Sequence, residues 1–556
     1  MKKFQLQSAD KSTARGFNIE EAELLKEIQS LNNEIKKLKS RKKYGLVWED
    51  KPEKVVNICK EKLPVLVEDK EREIKTDKNK PVNIIIEGDN YHSLSVLNYT
   101  HRGKIDVIYI DPPYNTGNEN WIYNDRKVDA EDSFRHSKWL SFMEKRLNLA
   151  KYLLSKSGVV FISINDIELS QLKLLCDEIF GEKNVEIMIW YKIPEEGTAG
   201  QGKMKITHRF RLDHEYILTC YKDRNSLKFN KPLRLKKVKN DYGNLDNDPR
   251  GDWMSCEICK SDNKSNEGGK NYYAIETTSG RIIKRQWHIS HEEFLNLDKD
   301  KRIYWGSGKS VPRLKKFLGE PQPTTPSSII TNISQTEANN ELKKIFGNKE
   351  FDNPKPLSLI KWILEISSKK ESVILDFFAG SGTTGHAVLD LNKGDNGNRK
   401  FILCTNDENH IATEICYPRL KKAINGYRDI KGLGGNLKYY KTDFVDNKIT
   451  DANKKKLVDK STEMLCLKED CFELIKKGQS FKIFKDDKDK YLGIVYDDAG
   501  IEMFKKEVGK LNKTIITYVF SLDDSAREEE FESIQKLVEL KPIPTAILNI
   551  YKKIFK

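Results

Sequence analysis

The sequence predicts a doubly wound α/β fold with a mostly parallel sheet, an insertion in its middle and a small α/β domain at its end. Short apolar runs typical of buried strands alternate with helical patterns before residue 221 and again after residue 353. Both parts contain a strand–helix–strand unit, whose right-handed crossover makes the two strands parallel. The second unit supplies the beginning that the first part lacks. We therefore expect both parts to form one sheet.

Seven strands and three long helices follow from these patterns. The strands are predicted at 82–86, 105–110, 158–164, 186–191, 215–221, 372–378 and 400–405, and the helices at 136–156, 169–180 and 353–369. Residues 43–81 are mixed and charged, and they are expected to form a connector with little regular structure. Strand-like runs at 491–496 and 514–520 predict the small α/β domain at the end of the chain.

Composition favours a water-soluble protein with a polyanionic partner. The chain has 556 residues, of which 33% are charged, and a formal net charge of +14; its mean hydropathy is −0.66. The excess of Lys and Arg suits nucleic acid phosphates, although many lysines lie in mixed runs beside carboxylates. No apolar run approaches a membrane span, and no secretory signal is visible. Because nine cysteines also argue against a disulfide framework, we expect a cytoplasmic protein without membrane contact.

The stretch Asp111-Pro112-Pro113-Tyr114, directly after the apolar run 105–110, is the candidate catalytic site. Its two prolines lack a backbone N–H, so strand pairing ends there in a rigid loop. The loop offers a carboxylate, free carbonyl groups and an aromatic ring at fixed spacing. Such a site can accept hydrogen bonds from an amino group on a flat ring and stack against that ring. The alternative is an ordinary turn, since Asp-Pro is common in turns.

Three glycines after the predicted strand 372–378 form the candidate cofactor site. Gly380, Gly382 and Gly385 have the spacing G-x-G-x-x-G between a strand and a helix. Glycine at these positions lets a ligand approach the backbone closely. The alternative is a tight strand-to-helix turn with no ligand.

Acidic residues near the glycines indicate what the ligand contains. Asp407 or Glu408, after the strand 400–405, is placed to bind ribose hydroxyl groups. This pattern fits a dinucleotide and also fits S-adenosylmethionine. Asp376 favours the latter, because a carboxylate can pair with an ammonium group, whereas a pyrophosphate gains nothing from it.

Residues 222–330 differ from the rest of the chain. They combine basic runs, turn clusters and isolated aromatic residues, namely Trp253, Tyr272, Tyr273, Trp287 and Trp305. The pattern indicates an inserted recognition domain that carries Lys, Arg and aromatic side chains to a nucleic acid. The alternative is a solvated insertion without a ligand. Cys256 and Cys259 have the spacing of metal ligands but no second pair, and we expect no zinc site.

A helix is predicted at 19–42. Its apolar residues alternate spacings of four and three, as in a coiled-coil seam: Leu24, Ile28, Leu31, Ile35 and Leu38. It is too short for a stable coiled coil by itself. Pairing with a second copy of the chain and packing on the body of the protein are equally compatible with this pattern.

The two candidate sites together resemble the motifs of the amino-DNA methyltransferases. The relevant stretches are 111–114 and, far downstream, Asp376-Phe-Phe378-Ala-Gly380-Ser381-Gly382-Thr383. Their order, with the catalytic motif first, resembles the β class of that family. The Lys355-Pro356 turn looks like the family's tenth motif, and Gly88-Asp89 looks like its third. More specifically, the stretches 44–48, 311–315 and 437–444 resemble the modification subunit of type III restriction–modification systems.

The resemblance implies a circularly permuted, seven-stranded S-adenosylmethionine-dependent methyltransferase sheet. In such a sheet, Gly380 and Asp111 lie side by side at the switch point. The implied organisation is an N-terminal helix and connector (1–80), the catalytic half (81–221), a target-recognition domain (222–330), the cofactor-binding half (331–445) and a C-terminal α/β accessory domain (446–556).

The resemblance also assigns roles to individual residues. Catalysis would rest on Asp111, Pro112, Pro113 and Tyr114. The cofactor would contact Asp89, Lys355, Asp376, Phe378, Gly380, Ser381, Gly382, Thr383 and Asp407 or Glu408. No metal is required. Aspartate at the first catalytic position, by the family's pattern, favours adenine N6 over cytosine N4.

The implied function is site-specific DNA adenine-N6 methylation with base flipping, in the modification subunit of a type III system. The implied partners are double-stranded DNA, a second copy of the chain and a restriction subunit with helicase and nuclease activity. A stand-alone DNA methyltransferase and a DNA-binding subunit without catalysis are the alternatives. An RNA or protein-glutamine methyltransferase fits less well, because those enzymes usually carry Asn at the position of Asp111.

Overall fold

The structure is a computed structural model. It describes residues 28–31, 33, 48–117, 122–123, 126–128, 131–193, 210, 212–235, 242–347, 351, 353–448, 450–522 and 525–555. Most of the predicted helix 19–42 lies outside this set, although residues 28–31 and 33 are helical. Residues 44–47, part of one stretch that resembles the type III subunits, also lie outside it.

Ten strands form one central sheet. They are β1 (Lys62–Glu68), β2 (Val82–Glu87), β3 (Ile105–Ile110), β4 (Leu154–Ile164), β5 (Val185–Tyr191), β6 (His214–Tyr221), β7 (Ile329–Ile330), β8 (Val373–Asp376), β9 (Lys400–Thr405) and β10 (Asn436–Asp446). Their spatial order is β1-β10-β2-β9-β8-β3-β4-β6-β5-β7. Neighbours are parallel except that β6 is antiparallel to β4 and β5, and β1 is antiparallel to β10.

The predicted number of strands is too small. The seven expected strands are all present and lie next to one another from β2 to β5, which confirms the predicted fold class. Three more strands extend the sheet, with β1 and β10 at one edge and β7 at the other. The expectation of little regular structure at 43–81 is wrong, because Lys54–Glu61 is helical and β1 follows it. Leu63, Val65 and Leu66 of β1 are buried.

The switch point lies between β8 and β3. Ile374 of β8 pairs with Val107 of β3, and Leu375 pairs with Ile108, both in parallel. The late strands β8 and β9 thus lie between the early strands β2 and β3. The two halves of the chain form a single sheet, as the sequence predicts. Asp111 and the stretch 380–385, which contains the three glycines (the glycine loop), follow neighbouring strands.

Helices cover both faces of the sheet. On one face lie α1 (Asn90–Thr100), α2 (Arg135–Leu153) and α3 (Leu169–Phe180); on the other lie α4 (Leu357–Ser367), α5 (Thr383–Asp395) and α6 (Tyr417–Asn425). Strand side chains alternate between the two cores: Ile108 and Ile110 of β3 pack on the first face, and Val107 and Tyr109 pack on the second. Among the described residues, no helix is both long and apolar enough to cross a bilayer.

The insertion has a small core of its own. Its elements are Leu233–Leu235, Trp253–Cys256, Tyr272–Glu276, Ile282–Gln286, His291–Lys299, Ile303–Tyr304, Arg313–Phe317 and Pro321–Pro323, and the helix Gln335–Phe346 follows it. The prediction that its aromatic residues reach a ligand is wrong for two of them. Trp253 and Trp287 are only 2% exposed, and Trp287 packs against Phe294 in the core. These two rings stabilise the insertion and have no face available for a base.

The C-terminal part is an α/β unit that packs on the central domain. The helices Asp451–Asp459 and Thr462–Glu469 precede β11 (Glu473–Lys477), β12 (Phe481–Lys485), β13 (Tyr491–Val495), β14 (Ile515–Phe520) and β15 (Val538–Ile543); Ile501–Leu511 and Thr545–Ile554 are helices between and after these strands. The five strands are neighbours in chain order. Leu492, Ile494 and Tyr518 join the core that contains α1, and Tyr551 donates a hydrogen bond to the Pro64 carbonyl.

Candidate functional site

Four carboxylates follow four neighbouring strands at one edge of the sheet. Asp89 follows β2, Asp407 follows β9, Asp376 ends β8 and Asp111 follows β3. These strands are parallel and adjacent, so their carboxyl ends lie at the same edge, where open α/β sheets bind ligands. The structure therefore brings the predicted catalytic and cofactor-binding carboxylates together.

Lys355, two residues before α4, connects the candidate catalytic loop (Asp111–Tyr114, the catalytic loop) to the second half of the sheet. Its Nζ lies 2.9 Å from Asp111 Oδ1 and donates to Asp111 Oδ2 at 3.0 Å and to Tyr114 Oη at 2.8 Å. Tyr114 Oη donates to Glu215 Oε2 at 3.1 Å, and Lys355 Nζ lies 3.4 Å from that same oxygen. Lys192 Nζ lies 3.0 Å from Glu215 Oε1. The charges of two carboxylates and two ammonium groups thus cancel around Tyr114.

For each of Asp111, Lys355 and Glu215 in this cluster, burial and ion pairing shift the pKa in opposite directions. Burial raises the pKa of Asp111, and Lys355 offsets part of that effect. Burial lowers the pKa of Lys355, but Asp111 and Glu215 outweigh it and leave this pKa above its ordinary value. For Glu215, Lys355 and Lys192 outweigh burial and leave the pKa below its ordinary value. These pKa shifts favour the ionised forms of Glu215 and Lys355, whereas the shift of Asp111 favours its protonated form.

Glu215 and Lys192 were not among the sequence-predicted site residues. Glu215 lies at the beginning of a strand, where parallel sheets carry no site residues. Because β6 is antiparallel to β4, its first residues lie at the edge where the parallel strands end. The signal that could have identified Glu215 is therefore the direction of β6, which strand periodicity does not reveal.

Neighbouring elements hold the catalytic loop rigidly. Pro112 is buried, and the Pro113 carbonyl accepts a hydrogen bond from Trp139 Nε1 of α2 at 2.7 Å. Asn115 has a positive φ of 53° and donates to the Glu168 carboxylate. That carboxylate is fully buried and also pairs with His136 Nδ1 at 2.6 Å. The loop is thus fixed on both sides of Tyr114.

The glycine loop requires glycine for two different reasons. Gly380 and Gly382 have φ values of 49° and 78°, in the left-handed region that favours glycine. A Cβ at Gly385 would lie 2.9 Å from the Leu420 side chain, so this glycine allows α5 to pack closely on α6. The first two glycines shape the loop, and the third one serves helix packing.

Two predicted cofactor ligands have their hydroxyl groups engaged elsewhere. Arg419, only 1% exposed, donates to Ser381 Oγ at 3.1 Å and to Thr383 Oγ1 at 2.7 Å. Glu341 pairs with the other end of the guanidinium at 3.2 Å. These side chains therefore stabilise the glycine loop, and any cofactor contact from them would come from the backbone. The predicted ligand Phe378 packs its ring against Phe142, with centroids 5.8 Å apart.

Asp376 is a buried carboxylate with few partners. It accepts hydrogen bonds from Thr384 Oγ1 at 2.6 Å and from the Phe378 amide at 3.0 Å. Burial raises its pKa to about 7, and Asp111 adds to the shift against those hydrogen bonds. A positive group brought beside this carboxylate would favour its ionised form.

The other predicted acidic ligands lie in different environments. Asp89 caps α1 by accepting from the Tyr91 amide at 2.7 Å. Asp407 accepts from the Thr413 amide and hydroxyl group, both at 2.9 Å. Glu408, next to it, is exposed. Asp89 and Asp407 therefore shape their loops, and Glu408 points its carboxylate towards solvent.

This set of groups fits S-adenosylmethionine better than a dinucleotide. The four carboxylates at the sheet edge suit a ligand with an ammonium group, a sulfonium and ribose hydroxyl groups. Arg419, the cation next to the glycine loop, is already paired with Glu341 and is not directed at a pyrophosphate. Among the residues that the structure describes, no group of three or more His, Cys, Asp or Glu side chains could hold a metal ion.

Comparisons with known proteins agree with this geometry. The protein family described as "DNA methylase" matches residues 105–416, which is more than half of the chain. The StyLTI Mod subunit of a type III restriction-modification enzyme from Salmonella typhimurium is 34% identical over 64% of this chain and 58% of its own length. The EcoPI Mod subunit of Escherichia phage P1 is 32% identical over 70% of this chain and 67% of its own length.

Other relatives come from a different class. The type II methyltransferase M.KpnI from Klebsiella pneumoniae is 32% identical over 65% of this chain and 88% of its own length. A crystal structure of an M1.HpyAVI–SAM complex aligns with 61% of this chain and 98% of its own at 15% identity and a TM-score of 0.31. This chain spans about three fifths of the length of the StyLTI Mod subunit. On the match over residues 105–416, the chain belongs to the DNA methylase family.

Proposed function

We propose that this chain is a site-specific DNA adenine-N6 methyltransferase that uses S-adenosylmethionine. The observation that carries the proposal is that the loop of Asp111 and Tyr114 and the glycine loop follow the adjacent parallel strands β3 and β8, at the switch point of the sheet. Membership of the DNA methylase family supports DNA as the substrate. The Mod relatives support a place in a type III restriction–modification system. We place such an enzyme in the cytoplasm.

S-adenosylmethionine, when bound, supplies a methyl group on a sulfonium ion. We assign the backbone of Gly380–Gly382 to its adenosine part, and the carboxylate of Asp376 to its ammonium group. Asp89 lies at the end of the nearby strand β2 and serves the same end of the molecule. Glu408 is the better candidate for the ribose hydroxyl groups, because Asp407 already accepts two hydrogen bonds from Thr413.

The catalytic loop binds the target base. An adenine inside a duplex cannot reach Asp111, so the nucleotide must rotate out of the stack at a cost of a few kcal/mol. Tyr114 stacks on the base, while Asp111 and the Pro112 carbonyl accept hydrogen bonds from the two amine hydrogens. These acceptors hold the nitrogen lone pair in line with the methyl group, and this positioning supplies much of the rate.

The negative charge of Asp111 also stabilises the transition state of methyl transfer. The amine nitrogen becomes positive as it gains a methyl group, and a fixed carboxylate in a largely buried site stabilises that charge. The Trp139 and Glu168 contacts to this loop reduce the movement needed to reach that arrangement. Asp111 is also the nearest acceptor for the proton that the methylated amine releases.

Cofactor binding is expected to weaken as pH falls through about 7. Asp376 has a pKa of about 7 in the free protein, and only its ionised form attracts the cofactor's ammonium group. Below that pKa the affinity should fall by up to about tenfold per pH unit. Titration calorimetry at several pH values measures this. Asp376→Asn should bind weakly at every pH, and a pH dependence retained in that variant would assign the effect to another group.

Methyl transfer to DNA tests the function directly. Purified protein is incubated with S-adenosylmethionine labelled in its methyl group and with unmethylated duplex DNA, matched RNA or protein. Label on duplex DNA alone, with N6-methyladenine at one recurring sequence after base-resolved sequencing, is the expected result. Label on cytosine N4, on RNA or on protein would refute the adenine-N6 assignment. Absence of cofactor binding would favour a DNA-binding subunit without catalysis.

The M.KpnI relative supports one alternative, a stand-alone methyltransferase, since this chain covers most of its length. A type III assignment requires a stable complex with a separate restriction polypeptide. Co-purification with a helicase–nuclease chain encoded beside this one distinguishes the two systems. We further propose a homodimer, which the exposed Ile28 and Leu31 of the N-terminal helix support. Light scattering of the purified chain measures its mass in solution.

A further inference from the structure

Lys355 occupies the position that the substrate amine needs. Its ammonium lies within 3.0 Å of both carboxylate oxygens of Asp111. An ammonium in this position competes directly with an incoming amine for the same acceptors. It also neutralises the negative charge that the reaction requires at Asp111. The target base can therefore bind productively only after Lys355 Nζ has moved away.

Lys355 cannot move into the protein without another counter-ion. Its side chain is only 8% exposed, and a buried ammonium without a partner costs several kcal/mol. Glu215 Oε2, from β6, lies 3.4 Å from Nζ and is already part of the cluster. A small rotation of the lysine side chain brings its charge onto this second carboxylate.

We propose that Glu215 is a positioning residue that accepts the Lys355 ammonium from Asp111 when the target amine binds. The inference rests on the proposed methyltransferase function and adds to it. Glu215 touches neither the base nor the cofactor. It acts by holding Lys355 in a paired state, which leaves Asp111 negatively charged and available for the amine.

Tyr114 and Lys192 prepare Glu215 for this role. Lys192 holds Glu215 Oε1 at 3.0 Å, which leaves Oε2 as the oxygen that faces Lys355. Tyr114 Oη contacts both Lys355 Nζ and Glu215 Oε2, so it lies between the two carboxylates. The same tyrosine presents the ring that stacks on the base. A movement of the ring on base stacking therefore also moves the hydroxyl group that contacts the Lys355 ammonium.

Glu215→Gln tests the proposal, with Glu186→Gln as its matched control. Glu186, on the neighbouring strand β5, also accepts a tyrosine hydroxyl, from Tyr221 at 2.6 Å, and pairs with Arg224. In single-turnover methylation of the recognised DNA, Glu215→Gln should react on the order of 100-fold slower, since its lysine stays on Asp111. Glu186→Gln should remain within about threefold of the wild type. Cofactor and DNA affinities should change little in either variant.

The pH profile separates ammonium transfer from simple structural support. The titratable groups around the lysine are Asp111 and Tyr114 on the catalytic loop, Glu215 on β6, Lys192 after β5, and, through Asp111, Tyr109 on β3 and Asp376 on β8. Without Glu215 the pKa of Lys355 falls, and the neutral lysine releases Asp111. The ratio of variant to wild-type rate should therefore rise as the pH rises, by up to about tenfold per pH unit while most of the lysine is still protonated.

Each outcome of these experiments either supports or overturns the role proposed for Glu215. A Glu215→Gln rate within about threefold of the wild type overturns the proposal, and so does a loss that is equal at every pH. Should Gln not fold, Glu215→Asp keeps the carboxylate and should lose less than tenfold with a wild-type pH profile. A slow Asp variant whose loss is equal at every pH would also contradict it. If the wild type itself transfers no methyl group, the proposed function has failed instead.

Discussion

Asp111→Ala is expected to abolish methyl transfer while DNA binding survives. The alanine removes an acceptor for the amine and the negative charge that stabilises the methylated nitrogen. Loss of one fixed electrostatic contact in an active site costs about 10²–10³-fold, and loss of both effects should cost at least about 10³-fold in kcat. Transfer of labelled methyl groups to duplex DNA measures the rate, and a mobility-shift titration measures DNA affinity.

Two further variants make the Asp111 result specific. Asp111→Asn keeps one acceptor oxygen without the charge, so its rate should lie between those of Ala and the wild type. Asp106→Asn is the control at the opposite end of β3, where Asp106 accepts from Ser155 and from the Val373 amide, both at 3.0 Å. It should lower stability modestly and leave kcat unchanged. Wild-type activity in Asp111→Ala would remove this residue from the mechanism.

Local chemistry made both candidate sites recognisable from sequence. A strand followed by Asp-Pro-Pro-Tyr and a strand followed by a glycine turn each indicate a ligand site within about ten residues. The seven strands of the methyltransferase sheet were also found, because each is a short apolar run with clear breaks. The adjacency of β8 and β3 came from the resemblance alone. Nothing local connects residues 111 and 380.

The strand and the site contacts that the sequence did not predict depend on contacts between residues far apart in the chain. β1 packs at the sheet edge because it pairs with β10, from Lys62 opposite Asp446 to Glu68 opposite Tyr440. Its apolar run at 63–67 contains Pro64, and a proline within such a run argues against a strand when only the sequence is considered. The pairing of Lys355 with Asp111 and Glu215 likewise spans three regions of the chain. Trp253 and Trp287 illustrate the converse, since aromatic residues in a basic segment fill a small core as readily as they reach a ligand.

One buried arginine of α2 connects the segment before the sheet to the two loops proposed to bind the cofactor (the cofactor loops). Arg146 of α2 is fully buried, and its guanidinium donates to both oxygens of Glu53, at 3.0 and 2.6 Å. Its Nε donates to Asn90 Oδ1, and Asn90 Nδ2 donates to the Phe377 carbonyl at 3.1 Å. Glu53, the loop after β2 and the loop after β8 are thereby held in one arrangement. These are the loops that carry Asp89, Asp376 and the first glycines.

Arg146→Met is therefore expected to destabilise the protein by about 3–5 kcal/mol, because it leaves the Glu53 carboxylate buried without a counter-ion. Cofactor affinity should fall as well, since Asn90 loses the partner that orients it. Denaturant unfolding and titration calorimetry measure the two effects.

Replacing both partners separates stability from positioning. Arg146→Met with Glu53→Leu removes the unpaired charge and should recover at least half of the lost stability, because apolar pairs often replace buried ion pairs without loss. It should not recover cofactor affinity, because Asn90 still lacks its partner. Arg399→Met is the control: Arg399 is also buried and pairs with Asp395, but it lies directly before β9, at the end of that strand away from the cofactor loops. It should lose stability and keep cofactor affinity; equal loss of affinity in this control would show that Arg146 acts through stability alone.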